Sequence, residues 1–229
     1  MKKYLIFNAD DFGASAGVNR GIVEAHRRGV VTSTSLMVTG SAVREAVSMS
    51  SECPALDIGL HWDVCGEDDR SFTFDDADAV REEFRRQIGE FEDLLGRPPT
   101  HIDSHQHAHR RVMPLFRELV APLGVPLRGD GRVTYLMGFY AQWKWKVTEL
   151  DHVSVPALQK LIRAEVLPGI SEIGCHPGYV TDDYRAVYLA ERETELETLT
   201  DPRIAETVRE EGIELVGFAE YARIAGESR

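Results

Sequence analysis

Polar residues that can perform acid–base or metal chemistry follow several short apolar runs of this sequence. Asp10 and Asp11 come after "LIFNA", His61 follows "DIGL", and His105 follows "HIDS". An ionised carboxylate inside a buried strand is costly unless it is paired or bound to a metal. We therefore expect these residues at strand ends, where a site for a metal ion or a proton transfer can form.

Two further candidates close later apolar runs, Arg128 after "VPL" and His176 after "EIGC". Side chains alternate across a strand, so Asp103 shares a face with His105 and points toward the same site. The sequence thus predicts a cluster of carboxylates, imidazoles and one guanidinium contributed by several strands.

The adjacent carboxylates Asp10 and Asp11 would point to opposite faces of a regular strand. They reach one centre only if the strand breaks between them, and the nearby Gly13 permits a turn. One aspartate can then bind a metal ion while the other accepts a proton from water that the ion acidifies. Imidazoles with a carboxylate suit zinc, and also iron, cobalt or nickel, whereas magnesium prefers more oxygen ligands.

Short apolar runs alternate with longer amphipathic segments, which is typical of a parallel sheet covered by helices. The carboxyl ends of parallel strands share one edge, so the candidate residues converge there. No GxGxxG motif follows the first strand, which disfavours dinucleotide binding. We predict an α/β, barrel-like parallel fold of seven or eight β/α units, closed or incomplete. We favour this fold over an open doubly wound sheet, which the same alternation would also fit. The predicted strands are YLIFNA, TSLMV, DIGLHW, HIDSH, VPLRG, EIGCH and IELVGF.

Two connections exceed the usual length of a loop between a strand and a helix, residues 64–75 and 129–154. The second carries Tyr140 and Trp143, whose flat apolar faces could stack on sugar rings, or could belong to the core or to a subunit contact. Helices are predicted at residues 16–28, 41–51, 76–95, 112–123, 155–164, 188–198 and 201–211.

Composition limits the function classes. With 28% charged and 43% hydrophobic residues, the chain has a globular balance, and we expect residues 1–229 to form one domain. No apolar run approaches the roughly 20 residues that span a bilayer. The net charge of −12 repels nucleic acid and anionic membranes. Three scattered cysteines and the lack of a signal-peptide cleavage site indicate the cytoplasm.

Four segments together resemble the YdjC-like carbohydrate deacetylases, a family that includes the chitooligosaccharide deacetylases. They are "NADDFGASAGVNRGIVEAHRRGVVTSTSLMV", "IGLHWDV", "PTHIDSHQHAH" and "EIGCHPGY". The resemblance implies a barrel-like fold related to polysaccharide deacetylases. It also implies metal-dependent removal of an acetyl group from an N-acetylated sugar, such as a saccharide or glycoside that contains N-acetylglucosamine.

The same resemblance implies roles for individual residues. Asp11, His61 and His105 match the metal ligands of the family, and Asp10 matches the catalytic base. The implied cofactor is one divalent ion, with zinc favoured by the ligand set and magnesium or cobalt as alternatives.

Three further roles are implied less directly. By analogy with related deacetylases, His176 is the acid that protonates the leaving amine, and Arg128 orients the base or stabilises charge. Asp103 is a candidate for holding a ligand imidazole in its tautomer. The segment between His61 and His105 is shorter than in many members, and residues 129–154 match no motif of the family.

Two alternatives stay open at this point. Asp and His clusters also serve metal-dependent phosphoesterases and cyclic-amide hydrolases, although a phosphate substrate calls for more basic residues than Arg128 alone. A non-catalytic protein that binds a sugar or a metal needs only the ligands and gives Asp10 no role. The oligomeric state is likewise open, and the covering helices and the aromatic segment are candidates for a homodimer contact.

Overall fold

A parallel sheet of seven strands forms the centre of the fold. The structure is a computed structural model that describes residues 2–66, 71–182 and 184–227. The strand order is β4-β3-β2-β1-β6-β5, and β7 pairs with the first residues of β1. Every pair is parallel, which confirms the predicted α/β fold. The strands are β1 (Lys3–Phe12), β2 (Ser33–Leu36), β3 (Asp57–Trp62), β4 (Ile102–Ser104), β5 (Thr134–Leu136), β6 (Gly169–Cys175) and β7 (Ile213–Leu215).

Amphipathic helices cover the sheet close to the predicted positions. In the longest helix, Val80, Phe84 and Phe91 are buried at helical spacing. The Asp76 carboxylate accepts backbone N–H groups of the first turn, and Gly96 ends the helix with a φ of 66°. None of the helices in the described parts of the chain has the length and apolar surface that a membrane crossing needs. The helices are α1 (Ala16–Arg28), α2 (Val43–Ser51), α3 (Ala77–Leu95), α4 (Met113–Val120), α5 (Val155–Glu165), α6 (Ala190–Thr200), α7 (Pro202–Glu210) and α8 (Tyr221–Glu227).

The sheet is strongly curled. Asp103 on β4 and Glu172 on β6 both contact Nη2 of Arg128, at 2.8 Å and 2.6 Å. Three strands separate β4 from β6, and in a flat sheet the two would lie about 19 Å apart, at ~4.8 Å per strand. One side chain can contact both only because the sheet curves around it. Among the described residues no strand pair joins β4 to β5, so the curled sheet is an incomplete barrel.

The prediction of a strand at VPLRG is wrong. Leu127 forms only an isolated bridge with Ile102, because Gly129 turns the chain with a φ of 80° and the Asp130 carboxylate accepts the N–H of Leu127. The next strand along the chain is instead β5, which pairs with β6 at the opposite edge of the sheet and lies inside the segment 129–154 that we predicted to be a loop. Of the other predicted loop, residues 67–70 lie outside the described residues.

Candidate active site

The end of β1 brings both aspartates into one pocket. Asp11 has a φ of 71°, in the left-handed region that non-glycine residues rarely adopt. The pairing of β1 with β2 shifts register between Ala9 and Phe12, so β1 does not end between the two carboxylates, as predicted, but is irregular there. Asp10 and Asp11 therefore line the same pocket. Such a backbone conformation costs about 1–3 kcal/mol and is typical of functional sites.

Asp11, His61 and His105 meet at the floor of this pocket. Oδ1 of Asp11 lies 3.2 Å from Nε2 of His61 and 3.1 Å from Nδ1 of His105. The three candidate ligand atoms lie within 4.8 Å of one another, and all three residues are buried. Two imidazoles and a carboxylate fit a divalent ion such as zinc, and three protein ligands leave coordination positions for water or substrate.

His61 is also close to Asp10 and Asp103, which form a second group of potential ligands. Arg128, however, binds both oxygens of Asp10, at 2.6 Å and 2.8 Å, and contacts Oδ2 of Asp103. Asp11 also has a cation partner, Arg192, but through Oδ2, so its Oδ1 stays with the two imidazoles. Arg128 holds both oxygens of Asp10, and the oxygens of Asp103 contact Arg128 and Nδ1 of His61. The group around Asp11 is therefore the better metal centre.

Asp103 holds His61 in the orientation that this centre needs. Its Oδ1 lies 2.7 Å from Nδ1 of His61, and Ser35 donates a hydrogen bond to its Oδ2 at 2.9 Å. A proton on Nδ1 leaves Nε2 as the ligand atom on the side of Asp11. Burial by itself lowers the pKa of His61, but the charge and hydrogen bond of Asp103, together with the neighbouring Asp11 and Asp10, outweigh burial and raise that pKa well above its ordinary value.

We expect Asp103→Asn to weaken metal binding about 10- to 100-fold, because His61 loses the carboxylate that orients it. Calorimetric titration of chelated protein with Zn²⁺ measures this change. Asp93→Asn replaces an exposed carboxylate on α3 and serves as the control. An affinity of Asp103→Asn equal to that of the wild type would contradict this role for Asp103.

Arg128 sits among three buried carboxylates below the pocket. Besides Asp10 and Asp103 it binds Glu172, to which its Nε donates at 2.7 Å. Burial raises the pKa of Asp10, but the charge and hydrogen bonds of Arg128, together with His61, outweigh burial and hold that pKa below its ordinary value. Burial raises the pKa of Glu172 to about 7 against the opposing effect of Arg128. The guanidinium therefore keeps Asp10 ionised and oriented at neutral pH.

His176 faces Asp10 in the same pocket. Its Nε2 lies 3.9 Å from Oδ2 of Asp10, and its Nδ1 lies 3.8 Å from Oε1 of Glu195. The backbone N–H of His176 donates to the second oxygen of Glu195 at 2.5 Å. Burial lowers the pKa of His176, and the neighbouring Glu195 outweighs burial and raises it. The imidazole is thus biased toward its protonated form.

Known proteins are similar to this chain in sequence and in fold. A family model described as YdjC-like protein matches residues 4–210. The chain belongs to the YdjC-like family. It is 32% identical to a chitooligosaccharide deacetylase of Salmonella paratyphi B, over 93% of this chain and 96% of the relative.

Solved structures resemble this YdjC-like protein over nearly its full length. A putative cellobiose-phosphate cleavage protein from Enterococcus faecalis has a TM-score of 0.81 and 27% identity, covering 95% of this chain and 98% of the other. A family 4 acetyl xylan esterase from Clostridium thermocellum has a TM-score of 0.61 and 14% identity, covering 98% and 92%. The second similarity concerns the fold alone.

Aromatic side chains form one wall of the pocket in this YdjC-like protein. Tyr140 stacks on Tyr188 with ring centres 5.0 Å apart, and Trp143 meets Tyr140 edge to face at 5.9 Å. Trp143 and Trp145 are 48% and 58% exposed and also line the pocket, which has a volume of about 390 Å³. The candidates Tyr140 and Trp143 thus lie where a substrate would contact them, and their role stays a prediction.

Three buried charged residues of the site, Glu172, Arg192 and Glu195, are not among the sequence-predicted candidates. Glu172 lies two and four residues before Gly174 and His176, so strand alternation already put it on the inner face of β6. Arg192 and Glu195 occupy α6, each at helical spacing from the buried Leu199. The signal that could have revealed Arg192 and Glu195 is their helical spacing from a buried apolar residue, because it places charged side chains on the buried face.

Proposed function

We propose that this YdjC-like protein removes the acetyl group from an N-acetylated sugar, releasing acetate and a free amine. The substrate class is a mono- or oligosaccharide or a glycoside that contains N-acetylglucosamine. The observation that carries the proposal is the buried group of Asp11, His61 and His105 beside the ionised Asp10, at the floor of an aromatic pocket. The similarity to a chitooligosaccharide deacetylase supports this substrate class.

Asp11, His61 and His105 would hold one divalent metal ion. We favour zinc over magnesium because two of the three donors are imidazole nitrogens, and cobalt suits the same donors. An ion bound there polarises the acetamide carbonyl and lowers the pKa of water.

Asp10 would accept the proton of the attacking water. Its pKa lies below the ordinary value, against the effect of burial, because Arg128 is paired with it. The carboxylate is therefore available as a base at neutral pH, and Arg128 and Asn8 hold its two oxygens in place, with Asn8 Nδ2 donating at 2.8 Å.

His176 would donate the proton that the leaving amine needs. Its pKa is raised by Glu195 against the effect of burial, whereas the pKa of Asp10 is lowered. Two titratable groups that face each other with pKa values moved apart provide an acid and a base at the same pH. Nε2 of His176 and Oδ2 of Asp10 are 3.9 Å apart, so both groups face the same small region of the pocket.

Acetate release from a panel of N-acetylated mono- and disaccharides tests the proposal. We expect chelated protein to be inactive and added Zn²⁺ or Co²⁺ to restore release, with a smaller effect of Mg²⁺. Protein that binds one metal ion per chain and releases no acetate from any member of the panel would contradict the proposed activity. Release of phosphate from sugar phosphates in parallel would favour the phosphoesterase alternative.

We also propose that residues 1–229 act as one deacetylase domain in the cytoplasm. Cys53 and Cys175 are buried thiols, which suits a reducing compartment. The acidic net charge of −12 supports a small neutral sugar as partner over a nucleic acid or an anionic membrane.

A further inference from the structure

We propose that Arg192 is a positioning residue that restricts Asp11 to one ligand oxygen. Nη2 of Arg192 lies 2.5 Å from Oδ2 of Asp11. The other oxygen of that carboxylate, Oδ1, is the one near His61 and His105. The two oxygens of Asp11 thus have different partners, a guanidinium on one side and the imidazole nitrogens on the other. The proposal rests on the proposed function in taking Asp11 as a metal ligand.

Further contacts fix the guanidinium of Arg192. Its Nε donates to the carbonyl oxygen of Tyr188 at 3.0 Å, and its Nη2 donates to the hydroxyl of Tyr184 at 3.2 Å. A longer contact of 3.5 Å joins Nη1 to the carbonyl oxygen of His176. The side chain is only 2% exposed. Arg192 therefore cannot turn away from Oδ2 of Asp11 without losing hydrogen bonds in a buried site.

The chemical consequence concerns the number of coordination positions. A carboxylate with both oxygens available can bind a metal through two atoms and occupy a second position. A catalytic centre needs open positions for water and substrate. Because Arg192 holds Oδ2, Asp11 occupies a single position and leaves the others open. The guanidinium also balances the buried carboxylate charge, and with the two imidazoles it keeps the pKa of Asp11 well below the ordinary value against the effect of burial.

A purely structural role makes a different prediction. Arg192 lies on α6 and its contacts with residues 176, 184 and 188 could simply attach this segment to the helix. Loss of such an attachment would alter stability and activity but not the coordination of a bound ion. The absorption spectrum of bound Co²⁺ separates the two roles, because its intensity falls as the coordination number rises.

The experiment compares wild type, Arg192→Met, Arg192→Lys and the control Arg209→Met, each chelated and loaded with one Co²⁺ per chain. Arg209 is exposed on α7 and pairs only weakly with Glu206, at 3.6 Å. We expect Arg192→Met to retain cobalt with reduced visible absorption, Arg192→Lys to lie between it and the wild type, and the control to match the wild type. Acetate release by Arg192→Met should fall about 10- to 100-fold.

Identical Co²⁺ spectra of wild type and either folded Arg192 variant would overturn the proposal, as would a variant that folds but no longer binds cobalt. If circular dichroism shows that Arg192→Met does not fold, the Co²⁺ spectrum of Arg192→Lys decides between the positioning role and the purely structural role. Acetate release by the wild type tests the proposed function separately. A wild type that binds cobalt and releases no acetate removes the proposed activity while the comparison of spectra still stands.

Discussion

Replacing Asp10 by Asn is expected to lower acetate release by about 100- to 10,000-fold, because an amide cannot accept the proton of the attacking water. Metal content should not change, since the centre is formed by Asp11, His61 and His105. The measurement is the rate of acetate release together with the metal bound per chain. Asp93→Asn, an exposed carboxylate on α3, is the matched control and should behave as the wild type.

The same variant separates an enzyme from a binding protein. A protein that only binds a sugar or a metal has no chemical use for Asp10, so Asp10→Asn should then leave binding unaltered and there would be no turnover to lose. In the enzyme, the affinity for metal and sugar survives and turnover does not. Turnover of Asp10→Asn within a few-fold of the wild type would contradict the assignment of Asp10 as the base.

The placement of the polar residues on strand ends could be predicted because it follows from local rules. Burial makes Asp10 and Asp11 costly inside a strand, and two adjacent carboxylates can share a centre only if the strand breaks. In the structure an irregularity within β1 replaces that break, with a register shift at this point and Asp11 in the left-handed region. Arg128 likewise lies at the site although no strand carries it, because a single bridge at Leu127 is enough to place it.

The partners of these residues could not be predicted, because they depend on contacts between distant segments. Arg192 meets Asp11 across 181 positions of the chain, and Arg128 meets Asp10 across 118. Periodicity shows that Arg192 faces the core, but it does not show which carboxylate lies opposite. Strand alternation in the same way places Glu172 inside the sheet without revealing that the sheet curls enough to bring it to Arg128.

Replacing Arg128 by Met is expected to destabilise the protein by about 3–5 kcal/mol, because it leaves buried carboxylates without their cation. Asp10, Asp103 and Glu172 all contact this guanidinium, and the Arg128 side chain is 1% exposed. Chemical unfolding measures the change in the free energy of unfolding. Arg163→Met, which removes a guanidinium that is 47% exposed, is the control and should change it little.

The cost of Arg128→Met should also depend on pH. In the wild type the pKa of Asp10 lies below its ordinary value of 3.8, so its ionisation contributes stability at neutral pH that is lost as the pH falls. Without Arg128 the effect of burial prevails and raises the folded pKa above the unfolded one. The variant then loses stability as the pH rises, and the difference from wild type should be larger at about pH 7.5 than at about pH 4.5.

A second substitution tests whether unpaired charge causes this loss. Glu172→Gln removes one of the carboxylates that Arg128 binds, the one whose pKa burial raises to about 7. In the double variant with Arg128→Met one fewer buried carboxylate lacks its cation, so the combined loss should be smaller than the sum of the two single losses. Additive losses, or a loss for Arg128→Met that is equal at both pH values, would show that Arg128 acts through packing. In that case Asp10 would owe neither its ionisation nor its orientation to this guanidinium.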